Sequence, residues 1–527
     1  MDIGISELLA GLGILFLYLY YRLTANFHFW EKYNVKGPKP MLIFGNFKDF
    51  ILGRINIALL LKKYYDDYKS EPYVGIYDRS SPILILKDAD LIKDVLIKDF
   101  NHFPDRGLLG KESQDPFSQN LLNLEYARWR PLRTNLSPVF SSGKLKDMFY
   151  LIAECAQNFE NYISEIIIKG EPVECRELTA KYTTDAIGVC AFGLNMNALG
   201  DENSGFRKSG RDLMDNNFKN IARRMFREWF PRLYALIRPL VYNKAVDFFV
   251  DSLKETMEYR KKNNVRRNDF VDLLMDLKEQ PKEKLNNIGM NWNIDILFTN
   301  SCICYIVLIL MVFFIVEMTD LLVTSQAFIF FLAGFETSST TISNALYELA
   351  LHPLYQDKLR QEIREVLAKD GKFTYDNIKT LKYLDKVVKE TLRKYPPGSL
   401  LRRISVTPYT FAGNNLTIPK HTKIIIPVWA IHRDPDIWSD PDAFDPERFN
   451  DVNATTRHPM NYLPFGDGPH NCIGLRFANY QTKIGIATLI NKFKVNVCDK
   501  TCIPYIVHPR AFIPTPVGGI HLKITTC

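Results

Sequence analysis

The sequence predicts a mainly α-helical protein with a small β region, built as one large unit behind a short apolar amino terminus. Three observations predict it. Apolar residues recur at three- and four-residue spacing over most of the 527 positions. Strand signals are few, short and gathered in two places. No repeat or low-complexity block divides the chain, and with 46% hydrophobic residues it has ample material for one large core.

The elements follow in order. Residues 5–21 are apolar except for Ser6 and Glu7, the short end of what spans a bilayer. Asp2 and Glu7 precede or open this run, while Arg22, Lys32, Lys36 and Lys39 follow it. That charge order is wrong for a cleaved signal peptide and puts the bulk of the chain on the cytosolic side. Residues 1–24 are therefore expected to be a transmembrane anchor; the alternative is a buried amino-terminal helix. Residues 25–40 form a linker in which Phe27, Phe29 and Trp30 suit a membrane interface and Gly37-Pro38-Lys39-Pro40 stiffens the exit. The catalytic unit then occupies 41–527. Within it the apolar period predicts helices over 55–68, 145–169, 269–277, 324–351, 356–369 and 381–395. A hairpin is expected over 72–87, turning at 78–81. Further strands are expected over 409–429, parted by Asn414-Asn415 and by 419–422. The stretches 101–127 and 204–242 read as loops or lids.

The net charge is +8 and the pI about 8.8. Nucleic acid is not an expected partner, because no cluster of basic residues accompanies a recognisable reading module. A basic face toward an acidic protein or anionic lipid is the remaining use of the charge. Nine cysteines form neither a paired framework nor a four-ligand zinc spacing, and the odd number points to reduced thiols.

One cysteine stands apart. In "PFGDGPHNCIG", residues 464–474, Cys472 lies among glycines and prolines. A nucleotide loop is the weakest reading, since the third glycine comes too late for G-x-G-x-x-G and no βαβ pattern surrounds it. An inert buried thiol is the ordinary reading. A metal ligand is the third: Ile473, Phe477, Ile484, Ala487, Leu489 and Ile490 recur at helical spacing after the cysteine, and a helix start favours a thiolate. The glycines let backbone approach something flat and large, and a thiolate so held would suit one axial face of an iron porphyrin.

Three other constellations are weaker alone. Glu336-Thr337 in "AGFETSSTT" puts an acid and an alcohol on an apolar helix, where Thr337 can bond back to the Ala333 carbonyl. The ordinary reading is a satisfied threonine; beside an iron site, the pair would move protons toward oxygen. Glu390 and Arg393 lie three apart on one helix face, a common surface pairing, and Arg448 of "DPERF" is a second arginine for the same acid. Trp129 and Arg133, four apart, reach one target from one face, and an arginine there suits a carboxylate. Each is otherwise an ordinary solvated side chain.

"FGDGPHNCIG", "AGFET", "ETLR", "PERF" and the W-x-x-x-R of Trp129 and Arg133 together resemble the cytochrome P-450 superfamily of haem-thiolate monooxygenases. The resemblance covers nearly the whole chain. "HFPDRG", "FFLAGFETSSTT" and "ALYELALHP" are similar to its insect microsomal, xenobiotic-oxidising branch, the sixth family. The resemblance implies the cytochrome P-450 fold and haem b (iron protoporphyrin) ligated by the Cys472 thiolate. It implies proton delivery by Thr337 helped by Glu336, and propionates held by Trp129, Arg133, Arg403 and His470, with Arg106 a further candidate. Glu390, Arg393 and Arg448 would be structural. Where many relatives carry Arg, this chain has His470. Phe117, Leu121, Ala333, Phe335 and Leu401 are the implied substrate contacts.

The implied reaction inserts one oxygen atom of O₂ into a small apolar substrate, such as a xenobiotic, plant toxin, insecticide or endogenous lipophile. Electrons would come from NADPH through NADPH-cytochrome P-450 reductase, with cytochrome b5 a further donor, on the cytosolic face of the endoplasmic reticulum membrane. Arg128, Arg130, Lys144, Lys146 and Lys483 would offer that donor a basic face. The rival functions are a P-450-fold isomerase or dehydratase, and a haem-bound sequestering protein that is not an enzyme.

Residues 290–315 do not belong to this pattern. These 26 residues hold no Lys, Arg, Gly, Ala or Pro and a single charge, Asp295. Their uninterrupted apolar core, 305–316, falls short of the roughly 20 residues that cross a bilayer. They read as an unspliced intron translated in frame, or a gene-model error. Messenger RNA from expressing tissue is expected mostly to lack the segment; a mature message that keeps it, with loss of haem binding on its deletion, would refute this.

Overall fold

The fold is given by a computed structural model that describes residues 5–108, 119–201, 204–214, 220, 222–223, 226, 230, 233–234, 237, 244–267, 269–279, 320–413, 416–450 and 456–527. The expected substrate contact Phe117, the 290–315 segment and the turn residues Asn414 and Asn415 lie outside these.

The longest described helix, Asp320–Leu351, runs through the core, its apolar positions joined by small or hydrogen-bonded polar residues that are buried with them. Among the described helices that pack against it are Cys175–Ile187, Lys382–Lys394 and Leu475–Lys492. The helices expected from periodicity are present, each within a few residues of its predicted ends: Ile57–Asp67, Ser142–Ile166, Phe270–Glu279, Pro353–Asp370 and Lys382–Lys394. The side chain of Asn56 caps the first by accepting from the Ala58 N–H.

The hairpin expected over 72–87 is there. Tyr73–Asp78 pairs antiparallel with Ser81–Leu86 across a turn at which Arg79 takes φ 55. Lys423–Ile426 adds in parallel to the second strand, with Ile83 opposite Lys423, and Leu401–Ile404 closes the sheet antiparallel. The strands expected over 409–429 are present and parted over 419–422 as expected; the other expected parting, at 414–415, lies outside the described residues. Tyr409–Thr410 and Thr417–Ile418 pair before Lys423, and after Ile426 the chain turns into the short helix Val428–Ile431.

Two expectations need correcting. The 204–242 stretch is helical at all its described residues but Ser204 and Phe230, opening with Gly205–Met214. Its polar composition concealed this, because it docks through charge: Arg207 is buried and bonds Glu177 with Nε to Oε1 at 3.0 Å. At the amino terminus Ile5–Thr24 is one helix, and Leu9, Leu12, Ile14, Phe16 and Leu17 are exposed on it. Among the described residues, however, no helix is long and apolar enough to cross a membrane. Glycines, Tyr20, Tyr21 and Arg22 dilute a run already at the short end of a span.

Candidate active site

The loop before Cys472 is shaped by two glycines in the left-handed region, Gly466 at φ 67 and Gly468 at φ 71. A Cβ on Gly468 would meet the Leu96 carbonyl oxygen at 2.0 Å, so only glycine lets the two backbones touch. The Cys472 N–H donates to Phe465 O at 2.9 Å and folds the loop back on itself. Cys472 stands two residues before Gly474, the N-cap of the helix Leu475–Lys492.

The thiol is pushed above its ordinary pKa by burial, against the opposing pull of the Gly474 N–H, Arg133 and Arg106. Burial thus opposes the thiolate that a helix start favours, and Arg133 and Arg106 act in the thiolate's favour. Cys472 is nonetheless accessible to a water-sized sphere. Surface exposure with strong desolvation marks a side chain lining an interior recess. Arg106 and Arg133 share the property: both are half-buried, yet burial lowers both pKa values, that of Arg106 to about 9. The central helix, otherwise buried, is accessible at Ile329, at 332–334 and at Thr337, again as a recess within the core requires.

Around Cys472 the structure gathers the residues expected to hold carboxylates. Arg133 Nη2 donates to Asn471 Oδ1 at 2.8 Å, and Arg106 Nη2 donates to the His470 carbonyl at 3.3 Å. Arg403, buried on its strand, has its pKa lowered by burial to about 10. Burial, then Arg403 and Arg133, disfavour the charge on Arg106, which the Cys472 sulfur opposes. Trp129 Nε1 and Arg403 Nε are buried donors with no partner among the described residues. Three desolvated guanidiniums and two idle donors are costly unless an anion completes them. The two propionates of a haem are such a ligand, so the residues present fit the group.

His470 needs a correction. It is buried, with its ring centroid 3.9 Å from that of Trp129 and its Nε2 2.6 Å from Pro104 O. A carbonyl only accepts, so Nε2 carries the proton. The neutral ring then presents Nδ1, which has no partner, as a lone pair. Its one donor is committed to Pro104, and it cannot donate to a propionate as the resemblance implies.

On the central helix Thr337 Oγ1 donates to Ala333 O at 2.7 Å, the back-bond anticipated from sequence. Glu336 is buried against a partner the sequence did not suggest: Arg176, whose Nη2 donates to Glu336 Oε1. The two are 160 residues apart, and no spacing or composition cue joins them. Of the expected substrate contacts, Ala333 is accessible and Leu401 half-buried beside Gly466. Phe335 is fully buried under Arg207 and beside Phe331, and Leu121 is core whose N–H bonds Gln326. Both are packing residues rather than lining.

A family model described as cytochrome P450 matches residues 35–302 and 309–523. The chain belongs to the cytochrome P450 family. It is 37% identical over 531 residues to cytochrome P450 6A1 of Musca domestica, covering 99% of this chain and 98% of the other. It is equally identical to cytochrome P450 6a2 of Drosophila melanogaster over 98% of both chains. To cytochrome P450 6B1 of Papilio polyxenes it is 37% identical over 98% of this chain and 99% of that one. This P450 is thus a haem-thiolate monooxygenase fed by an electron-donating partner, and the isomerase, dehydratase and sequestering readings are not favoured.

Behind the cysteine of this P450 lies the network of Glu390, Arg393 and Arg448. Arg393 and Glu390 are wholly buried and joined twice, Nε to Oε2 at 2.7 Å and Nη2 to Oε1 at 2.8 Å. Arg448 Nε stands 3.3 Å from Glu390 Oε1. Arg393 also donates to His432 O at 2.8 Å and Ala443 O at 3.1 Å. His432, which the sequence reading missed, carries the link forward. Its Nε2 accepts from the Leu463 N–H at 2.8 Å, and Nδ1 faces Arg393 O at 3.2 Å. The cysteine loop is thereby hung on the buried ion pair.

Burial, Arg393 and Arg433 lower the His432 pKa to about 3. The unfolded chain takes up that proton near pH 6.5 and the folded one does not, so this contribution is intact above pH 6.5 and lost as the pH falls below it. Stability should drop by about 1.4 kcal/mol per unit below pH 6.5 on this account, roughly 2 kcal/mol at pH 5. Urea unfolding at pH 7 and pH 5 measures it. His432→Gln, which can keep both hydrogen bonds without titrating, should flatten the difference; an equal slope in both proteins would refute the assignment.

Proposed function

We propose that this P450 oxidises small apolar compounds, xenobiotics, plant toxins, insecticides or endogenous lipophiles, at the recess between Cys472 and Thr337. The observation that carries the proposal is the desolvated set of Arg106, Arg133 and Arg403 with the idle donors of Trp129 and Arg403, all around the cysteine loop. Bound there as haem b, the iron supplies the oxygen-activating redox chemistry, with one oxygen atom going to substrate and the other to water. Cys472 would hold the haem iron through its thiolate, and such a sulfur donor would make the iron electron-rich for oxygen chemistry. Trp129, Arg106, Arg133 and Arg403 hold and neutralise the propionates, and His470 orients the cradle through Pro104 and Trp129.

Thr337 and Glu336 move protons to oxygen. The Thr337 hydroxyl, tied to Ala333 O, is aimed along the accessible face of the helix. Glu336 is held by Arg176, so it must swing or pass its proton through water. Thr337→Ala is the test. With NADPH, a reductase and an alkoxycoumarin probe, peroxide released per NADPH should rise toward one, because a positioned proton donor contributes about 100-fold or more to its step. Unchanged coupling would sink the role.

The electrons come from NADPH through NADPH-cytochrome P-450 reductase, with cytochrome b5 as a second donor. The basic face expected for docking is partly spent, since Lys146 pairs with Asp376 at 3.1 Å and Lys483 with Asp385 at 2.6 Å. Arg130 and Lys144 carry the remainder. The exposed apolar helix Ile5–Thr24, with Arg22 in its last turn, supports attachment to the endoplasmic reticulum membrane with residues 41–527 in the cytosol. The family match leaves out 303–308 but runs through 290–302 and 309–315, so it supports an insertion of those six residues and not of the whole 290–315 segment.

A further inference from the structure

Glu336, Thr340, Asn344 and Glu348 follow one another at intervals of four along the central helix, so they form one stripe on one face, roughly 18 Å long. None is more than 4% exposed. Four buried polar side chains in line are costly unless each is satisfied. The opposing surface is polar too. Arg176 pairs with Glu336. Tyr505 lies within electrostatic reach of Arg176, Arg433 and the Asn344 amide, and its ring centroid is 4.7 Å from that of Tyr395. Tyr395 donates its hydroxyl to Glu348, as Lys394 Nζ does at 2.8 Å. Arg433 stacks on Trp429 at 3.6 Å. At the far end the His352 side chain, 37% exposed, has its Nδ1 2.8 Å from Glu348 O and 3.6 Å from Glu348 Oε2. Polar groups thus run from the surface at His352 to Glu336.

Beyond the pairs of Arg176 with Glu336 and of Tyr395 and Lys394 with Glu348, many atoms along this run are left over. Arg176 Nε, Thr340 Oγ1, both amide atoms of Asn344, the Tyr505 hydroxyl, Arg433 Nη1 and Glu348 Oε2 are buried without a hydrogen-bond partner among the described residues; Tyr505 and Asn344 are close but not aligned to bond. Donors and acceptors occur together, as ordered internal waters need, each with two to four polar neighbours. Burial drives the Tyr505 and Tyr395 phenols well above their ordinary pKa. Both remain neutral hydroxyls, able to receive one hydrogen while giving another.

We propose that this stripe is a water-filled proton path from the His352–Glu348 surface to Glu336. It rests on the assignment of Glu336 and Thr337 to proton delivery. Each transfer breaks one bond to hydrogen and forms one on the next oxygen or nitrogen. One proton enters from solvent as one leaves at Glu336, and no electron moves along it. Two such transfers match the two electrons that NADPH supplies per turnover. Asn344, Tyr505 and Glu348 act here as positioning residues for the water.

The test uses the full-length holoenzyme with NADPH, a reductase and an alkoxycoumarin probe. Asn344→Leu and Tyr505→Phe should each raise peroxide per NADPH about fivefold, the effect of about one hydrogen bond on a rate. Both should enlarge the ratio of NADPH oxidation in H₂O to that in D₂O, with the reduced CO band unchanged. A merely structural role would change the amount of holoenzyme and leave both ratios alone. Tyr505→Phe removes a single atom and keeps the test valid if Asn344→Leu folds poorly. Normal coupling in Tyr505→Phe, where Thr337→Ala uncouples, would overturn the path. Normal coupling in Thr337→Ala as well would instead remove the acid–alcohol assignment, and the path with it.

Discussion

Cys472→Ser is expected to abolish the strongly red-shifted Soret band of the reduced, CO-bound protein and to take monooxygenase activity to background. Serine keeps the size and the loop. Gly466 and Gly468 still supply the left-handed turns, and residue 472 still donates its N–H to Phe465 O. What is lost is the soft anionic donor, for an alcohol does not ionise where even the thiol is pushed up by burial. Arg133 and Arg106, which here stabilise a thiolate, then have only the propionates to neutralise. The protein should therefore fold, and the cradle should still take up haem. Its spectrum should be that of iron without sulfur ligation. A variant that kept the red-shifted band would show that another residue ligates the iron, and the cysteine loop would lose its assigned purpose.

The parts of this molecule that could be read from sequence are those fixed by local rules. The central helix, the 73–86 hairpin and the cysteine helix each carry their own periodicity or turn chemistry, and each is present within a few residues of expectation. Glu390 and Arg393 were legible because they share a helix face. What escaped was decided by tertiary contact. The Arg176–Glu336 pair joins two helices far apart in sequence, and Arg207 docks a polar helix that read as a loop. His432 has no motif at all; its role follows from the positions of Arg393 and Leu463. His470 shows a subtler limit. Its residue type suggested a donor to propionate, but only the Pro104 carbonyl at 2.6 Å shows that the donor is already in use. Phe335 likewise sits on the right helix and faces the wrong way, into the core.

Glu390→Ala is expected to be nearly as damaging as loss of the cysteine, through stability rather than chemistry. Glu390 accepts two hydrogen bonds from Arg393 and one from the Asp445 N–H at 3.0 Å, and it faces Arg448. Removing it leaves Arg393, wholly buried, as an uncompensated charge. Breaking one side of such a pair costs about 3–5 kcal/mol, against a total stability of about 5–15 kcal/mol for a folded domain. The damage should travel along a defined route. Arg393 loosened from Glu390 releases His432 O and Ala443 O, His432 releases the Leu463 N–H, and the loop that carries Cys472 loses its anchor. Haem content should therefore fall together with the urea midpoint. Glu390→Gln keeps one acceptor for Arg393 and should lie between the two. Removing both charges in Glu390→Leu/Arg393→Met should not restore the wild-type midpoint, although swapping a buried ion pair for apolar side chains is often tolerated. Here Arg393 also satisfies two buried carbonyls, and methionine cannot. Full recovery in the double variant would mean that the ion pair alone matters. Recovery of the midpoint without recovery of haem would locate the remaining function in the His432 and Leu463 link.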